Sequence, residues 1–236
     1  MKNYFILFIL FYHLCVPSQE NQGIIEYTAS MNISHSEKTI KEFEQNKDIP
    51  QHIKSEVINM YKNAQPEQYE LVFYSQESFF KHQRILNVDD AYNMGSKAGT
   101  NNYYTNKTKV IEYSTLGYIQ KDPLKWEIKS ERKKIGNFNC LKAIATEHLF
   151  SRKGYAYEKK ITAWFIPEIA LPFGPKNYSG LPGLVIEVIR DDYTIKATSI
   201  NLNPEKGIKI IPPKDKKIIT QEQANSIIKE RSTGTN

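Results

Sequence analysis

The stretch from Thr162 to Ile189, TAWFIPEIALPFGPKNYSGLPGLVIEVI, restricts the fold more than any other part of the chain. Thr162 to Ile166 carries bulky residues on both faces of an extended segment. Pro167 lacks the N–H that a sheet ladder needs, so it must end or edge that strand. Pro172, Gly174 and Pro175 keep the following residues out of helix and central strand. Leu181-Pro182-Gly183-Leu184 has the composition of a type II turn, with Gly183 supplying the positive φ at its second central position. Leu184 to Ile189 is then a β-branched run with Leu184, Ile186 and Val188 on one face. The segment predicts strand, loop, tight turn and core strand. A phosphate-cradling loop is the rival reading of its glycines. Against it, a strand rather than a helix follows, Pro182 removes a donor, and no Lys-Ser/Thr pair follows Gly183.

The remainder of the chain reads as further strands around one helical insertion. Gly23 to Ile33 alternates, with Ile25, Tyr27, Ala29 and Met31 facing one way. Period two is then lost. Ser36 is placed to cap a helix through Lys47, and Asp48 a second helix in which Ile53, Val57, Tyr61 and Ala64 make one apolar stripe. From Glu67 the chain is strand-like again, with short segments at 102–104, 110–113, 117–119, 126–129, 138–148, 155–166 and 193–202. Asn87 to Gly99 reads as a loop, and Ser151 to Gly154 as a hairpin tip with Gly154 at a left-handed position. Pro204 to Lys217 is a linker, and Thr220 with Gln223 forms a capping box for a short C-terminal helix. Regularly spaced strands without βαβ alternation predict an α+β, mainly β, antiparallel meander. Burying one face of such a sheet predicts a curved half-barrel around the helical insertion at about 36–64.

Residues 1–18 read as a signal peptide: Lys2, a short apolar run from Tyr4 to Cys15, then Val16-Pro17-Ser18 as the cut site. That run is shorter than the ~20 residues a membrane span requires. Residues 19–236 then form a single domain, periplasmic or in the cell envelope, with no transmembrane segment after cleavage. Removing Lys2 lowers the formal net charge from +6 to +5. The basic runs Lys129 to Lys134 and Lys214 to Lys217 adjoin turn residues, so they read as solvated ends and not as a nucleic-acid surface. Cys140 is left as the single cysteine of 19–236. No internal disulfide can form within that region, and its strand setting reads as a small buried hydrophobe.

GPKNYSGLPGLVIEV, preceded by AWFIPEIALP, resembles the GLPGLI family of bacterial envelope proteins, with Val185 in place of the final isoleucine. YELVFYSQESFF (69–80) and IGNFNCLKA (135–143) resemble two further blocks of that family in the same order. The resemblance spans about Gly23 to Ile189. It implies an exported β-rich protein without catalytic residues to carry over, and it marks Trp164, Pro167, Gly174, Pro175, Tyr178, Gly180, Leu181, Pro182, Gly183 and Leu184 as structural.

The residues offer little chemistry. The histidines at 13, 35, 52, 82 and 148 lack metal-ligand spacing, and only a site assembled from distant residues such as His82, His148 and Cys140 stays open. Ser179 has no nearby base in sequence. Asp89-Asp90 and Asp191-Asp192 are neighbours that diverge along the chain, as turn formers do. No cofactor and no metal are expected. Fifteen tyrosines suit a sheet with one wet face, or one that grips a ligand. The leading expectation is a non-enzymatic binding or carrier module for an apolar or lipid-like ligand. The alternative is an interaction protein that docks an envelope partner through a sheet edge or the 172–183 loop. An enzyme with a site built from separate strands comes third.

Overall fold

The computed structural model describes residues 21–84, 94–213 and 218–234. Residues 1–18, expected to be a signal peptide, Asp89-Asp90 and the Lys214 to Lys217 run lie outside the described residues.

Two antiparallel meanders follow one another along the chain. The first holds β1 (Gln22–Met31), the helical pair α1 (Ile33–Gln45) and α2 (Gln51–Lys62), and then β2 (Glu67–Tyr74) and β3 (Glu77–Gln83). It continues through β4 (Asn102–Thr105), β5 (Val110–Ser114) and β6 (Gly117–Lys121). The second holds β7 (Glu127–Ile135), β8 (Phe138–Phe150), β9 (Ala156–Ile166), β10 (Leu184–Ile189) and β11 (Tyr193–Asn201). A short β12 (Ile218–Thr220) then leads into α3 (Gln221–Ser232). Tight turns set the hairpins: Gly136-Asn137 joins β7 to β8 with Gly136 at φ 57, and Gly154 closes the β8–β9 tip at φ 85. The expected capping box on α3 is formed by Thr220 and Gln223. Asn32, not Ser36, is the N-cap of α1, and Pro50, not Asp48, that of α2.

Among the described residues twelve strands form one sheet in the order β12-β6-β5-β4-β3-β2-β1-β11-β10-β9-β8-β7. Pairing of β1 with β11 welds the two meanders together. Among the described residues one pairing is parallel, β12 on β6, which the sequence does not predict. Chain reach forces this sheet to curl. In the ladder β6 and β7 are ten strand spacings apart, about 48 Å if the sheet were flat. The connector between Lys121 and Glu127 spans at most about 22 Å. The sheet therefore bends until β6 approaches β7, a half-barrel with an unpaired seam that the connector crosses.

The concave side is not filled by the helical insertion. Neither α1 nor α2 has a buried residue, and Ile53 of the expected buried stripe is 39% exposed. The filling comes from the 167–183 segment, whose Leu171, Phe173, Tyr178 and Leu181 join the core with Ile25, Tyr27, Leu71, Phe165 and Ile195. With that segment in the cup, the concave core is covered without the helices. They stay at the rim, where the half-buried Tyr61 takes Lys97 over its ring.

Candidate functional site

The filling segment is held by backbone before side chains matter. Val185 N–H donates to the Phe173 carbonyl at 2.9 Å and Leu184 N–H to that of Ile169 at 3.0 Å. Gly180 N–H reaches back to the Pro172 carbonyl at 2.9 Å, and the Trp126 indole donates to that of Ser179 at 2.9 Å. Phe173 packs against Phe73 of β2, ring centroids 5.9 Å apart. Pro167 follows the last residue of β9 and ends it, as its missing N–H requires.

The turn is not the one the composition suggested. Positive φ falls on Gly180, at 87°, and not on Gly183. Gly183 N–H donates to the Leu181 carbonyl at 2.8 Å, which makes an inverse γ-turn centred on Pro182. Glycine is needed at 183 because any Cβ would run into the Ile166 backbone, and at 174 because it would run into the Tyr178 carbonyl and Val185. Trp164 is half-buried on the outer face of the sheet, not in the core. Lys133 lies 5.3 Å from its ring centroid and pairs at 2.5 Å with Glu187.

Beneath the segment sits a cluster of buried polar groups. Glu147 projects inward from β8 and accepts from Arg190 Nη1 at 3.1 Å, Tyr178 OH at 3.1 Å and Asn177 Nδ2 at 3.4 Å. Tyr178 and Tyr193 share a 2.6 Å hydrogen bond. Lys176 Nζ donates to Tyr193 OH at 3.1 Å and to the Ala98 carbonyl at 2.7 Å. Arg190 also grips Asp192 through two bonds of 2.6 and 2.8 Å. Burial pushes the Tyr178 hydroxyl well above its ordinary value. Burial alone would raise Asp192, but the Arg190 hydrogen bonds outweigh it and hold that carboxyl below its usual range. Glu147, Arg190 and Asp192 meet opposite charges and Lys176 meets two acceptors, the condition under which buried ions are tolerated. The cluster fixes the segment in the cup.

Open space lies at the seam. One cleft of about 510 Å³ runs between the β4–β5 turn, the β6–β7 connector and the filling segment. Its apolar lining comes from Leu124, Leu171 and Phe173, and its charged lining from Lys107, Lys109, Lys121 and Asp122. Lys121 is engaged by Glu112 at 3.1 Å. Lys107 and Lys109 have no ion pair among the described residues. Asn106 Oδ1 accepts from the Thr108 and Lys109 amides, which fixes the turn that carries both lysines. A second cleft of about 420 Å³ shares the connector and Asn177 and is walled by Glu147, His148 and Gln221. The Oε1 of Gln221 is buried without a hydrogen-bond partner.

The structure does not bring His82, His148 and Cys140 together as a ligand set. His82 lies beside Glu67 and Tyr69, while His148 pairs with Glu158 on the exposed side of the sheet. Cys140 is fully buried, its thiol pushed up by burial to about 11. Asp191 and Asp192 occupy the β10–β11 turn and face different partners, Lys159 and Arg190. Sequence reasoning passed over Glu147, Lys176 and Arg190. One signal was present: Ala143, Ala145 and Glu147 fall on the same alternating face, so a charge there sits in a core phase.

Residues 151–187 match a family described as a protein of unknown function, Porph_ging. The match covers β9, the filling segment and most of β10, and the family carries that designation rather than the GLPGLI name the hexapeptide suggests. No curated protein matches the chain. Two structures of PNGF-II, in C2 and P21 space groups, are similar over 90% of this chain at 16% identity and a TM-score of 0.49. The chain spans about a third of PNGF-II, 33% and 34% in the two structures. LprF from Mycobacterium bovis is similar over 78% of this chain and 87% of its own, at 8% identity and a TM-score of 0.32.

Proposed function

We propose that the chain is an exported, non-enzymatic binding module of the cell envelope, which takes an extended anionic ligand in the seam cleft. The observation that carries this reading is the cleft of about 510 Å³, lined by Lys107, Lys109 and Lys121 against the single acid Asp122, in which Lys107 and Lys109 have no ion pair among the described residues and Leu124, Leu171 and Phe173 supply the apolar lining. A surface of that kind suits a phosphate or carboxylate attached to an apolar or ring-shaped body. An apolar ligand held inside the sheet is less well supported, because the filling segment already occupies the concave face. Docking through the 172–183 loop is likewise less well supported, since Phe173, Tyr178 and Leu181 are turned inward. The non-enzymatic reading rests on the mutual satisfaction of Glu147, Arg190 and Tyr178, and on a buried thiol held protonated.

Native mass spectrometry of exported protein, purified without denaturation, is expected to show a bound acidic species. Titration with tripolyphosphate and with citrate is expected to show saturable binding, weakened about tenfold in Lys107→Gln/Lys109→Gln, roughly the loss of two partly screened charge contacts. Equal binding by that variant, or no binding of either probe together with a ligand-free mass, would overturn the reading.

A further inference from the structure

The β8–β9 hairpin continues past the sheet that supports it. On one side β7 pairs with β8 only as far as Ile144, and on the other β10 pairs with β9 only as far as Thr162. Residues 145–161 are thus a two-stranded ribbon with both outer edges unpaired. Its inward phase still carries apolar residues beyond the core: Leu149 is half-buried, and Tyr155 and Tyr157 are 56% and 38% exposed. The two tyrosine rings lie 6.2 Å apart. Arg152 and Lys153 stand beside them at the tip, and Lys160 lies on the other face of the ribbon, all exposed and outside any ion pair among the described residues. The end of α3 lies at the tip, where a Cβ on Gly154 would strike Ser232, and this last turn carries Lys229 and Arg231. Opposing acids are few, Glu158 with His148 already beside it and Glu230.

We propose that this arm docks the protein on an anionic membrane surface. Tyrosine rings have an apolar body and a wet tip, which suits the headgroup layer. Clustered lysine and arginine are drawn to anionic lipid, each about fivefold in affinity. A narrow two-stranded ribbon with charges of nearly one sign offers a folded protein partner no groove, whereas a bilayer surface needs none. This surface is separate from the seam cleft and rests on none of its residues.

The full exported chain is tested by co-sedimentation with vesicles of phosphatidylcholine alone, and of equal parts phosphatidylcholine and phosphatidylglycerol. Binding is expected only to the anionic vesicles, falling with added salt. Tyr155→Ser/Tyr157→Ser and Arg152→Gln/Lys153→Gln are each expected to weaken it about tenfold or more. These residues are exposed, so both variants are expected to keep the parent melting temperature, and a parent-like melt makes their vesicle result decisive. Lys107→Gln/Lys109→Gln is expected to bind vesicles as the parent does, and millimolar inorganic phosphate is expected not to displace it. Equal binding to both vesicle types, binding unchanged in both arm variants, or binding lost only in the cleft variant or to free phosphate would overturn the proposal.

Discussion

Gly183 and Gly180 separate two reasons for requiring glycine. At Gly180 the backbone is left-handed, at φ 87°, but the space around a Cβ is open. An alanine there meets only the left-handed penalty of ~1–2 kcal/mol. At Gly183 the backbone carries no such strain, yet a Cβ would enter the Ile166 carbonyl and the Phe165 ring. Since Phe165 and Ile166 are core residues of β9, relief requires moving β9 from β10, an overpacking cost of ~1–3 kcal/mol or more. Gly183→Ala is expected to lower the urea midpoint further than Gly180→Ala, and Gly183→Val further still. Denaturant unfolding of the three variants checks the order; Gly180→Ala as the most damaging would return the strained position to the turn and discard the close-approach explanation. Trp164 follows the same logic of place over type. Half-buried outside the sheet, it cannot yield the full deletion cost of ~3–5 kcal/mol that a core tryptophan would.

At the scale of elements, alternation located nearly every strand, because a strand with one buried face writes period two into its side chains. Ile25, Tyr27 and Ala29, or Tyr69, Leu71 and Phe73, state which face is covered without stating what covers it. That gap is why the sequence pattern alone points to the helices as the filling of the cup. The stripe of Val57, Tyr61 and Ala64 is real, but only half-buried, and the concave side went instead to a loop that shows no periodicity. The cleft lysines were illegible for another reason: Lys107 and Lys109 become a site only when the β6–β7 connector and Phe173 arrive beside them. Helices that bury no residue contribute little packing to the global fold. Hydrogen exchange is expected to show amides of 33–62 opening with protection far below that of β1, β2, β9 and β10. Protection of the helices equal to that of the sheet would show that they belong to the same cooperative unit.

Across the whole molecule, tyrosines with raised pKa come from separate parts of the curled sheet: Tyr27 on β1, Tyr69 on β2, Tyr103 on β4 and Tyr178 in the filling segment. Burial is the leading cause in each. Tyr27 donates to the Val185 carbonyl at 2.6 Å and Tyr69 to that of Gly99 at 2.9 Å, so both hydroxyls hold their protons while they pin loop and strand. A folded pKa raised above the unfolded one gives stability that is whole below the unfolded value and is lost as pH climbs toward the folded value. For tyrosine the loss starts near pH ~10, and each such group adds up to ~1.4 kcal/mol per pH unit. Cys140 acts in the same direction from about its unfolded value of ~8.5 up to about 11, so the experiment uses a Cys140→Ala background. Urea unfolding from pH 7 to 11 is expected to give a plateau followed by a steep alkaline fall with a slope of several protons. Tyr27→Phe removes one hydrogen bond, worth ~1 kcal/mol at neutral pH, and is expected to reduce the alkaline slope by one proton. An unchanged slope in Tyr27→Phe, or a parent fold as stable at pH 11 as at pH 7, would mean that these hydroxyls ionise without unfolding and that the cup admits water at its centre.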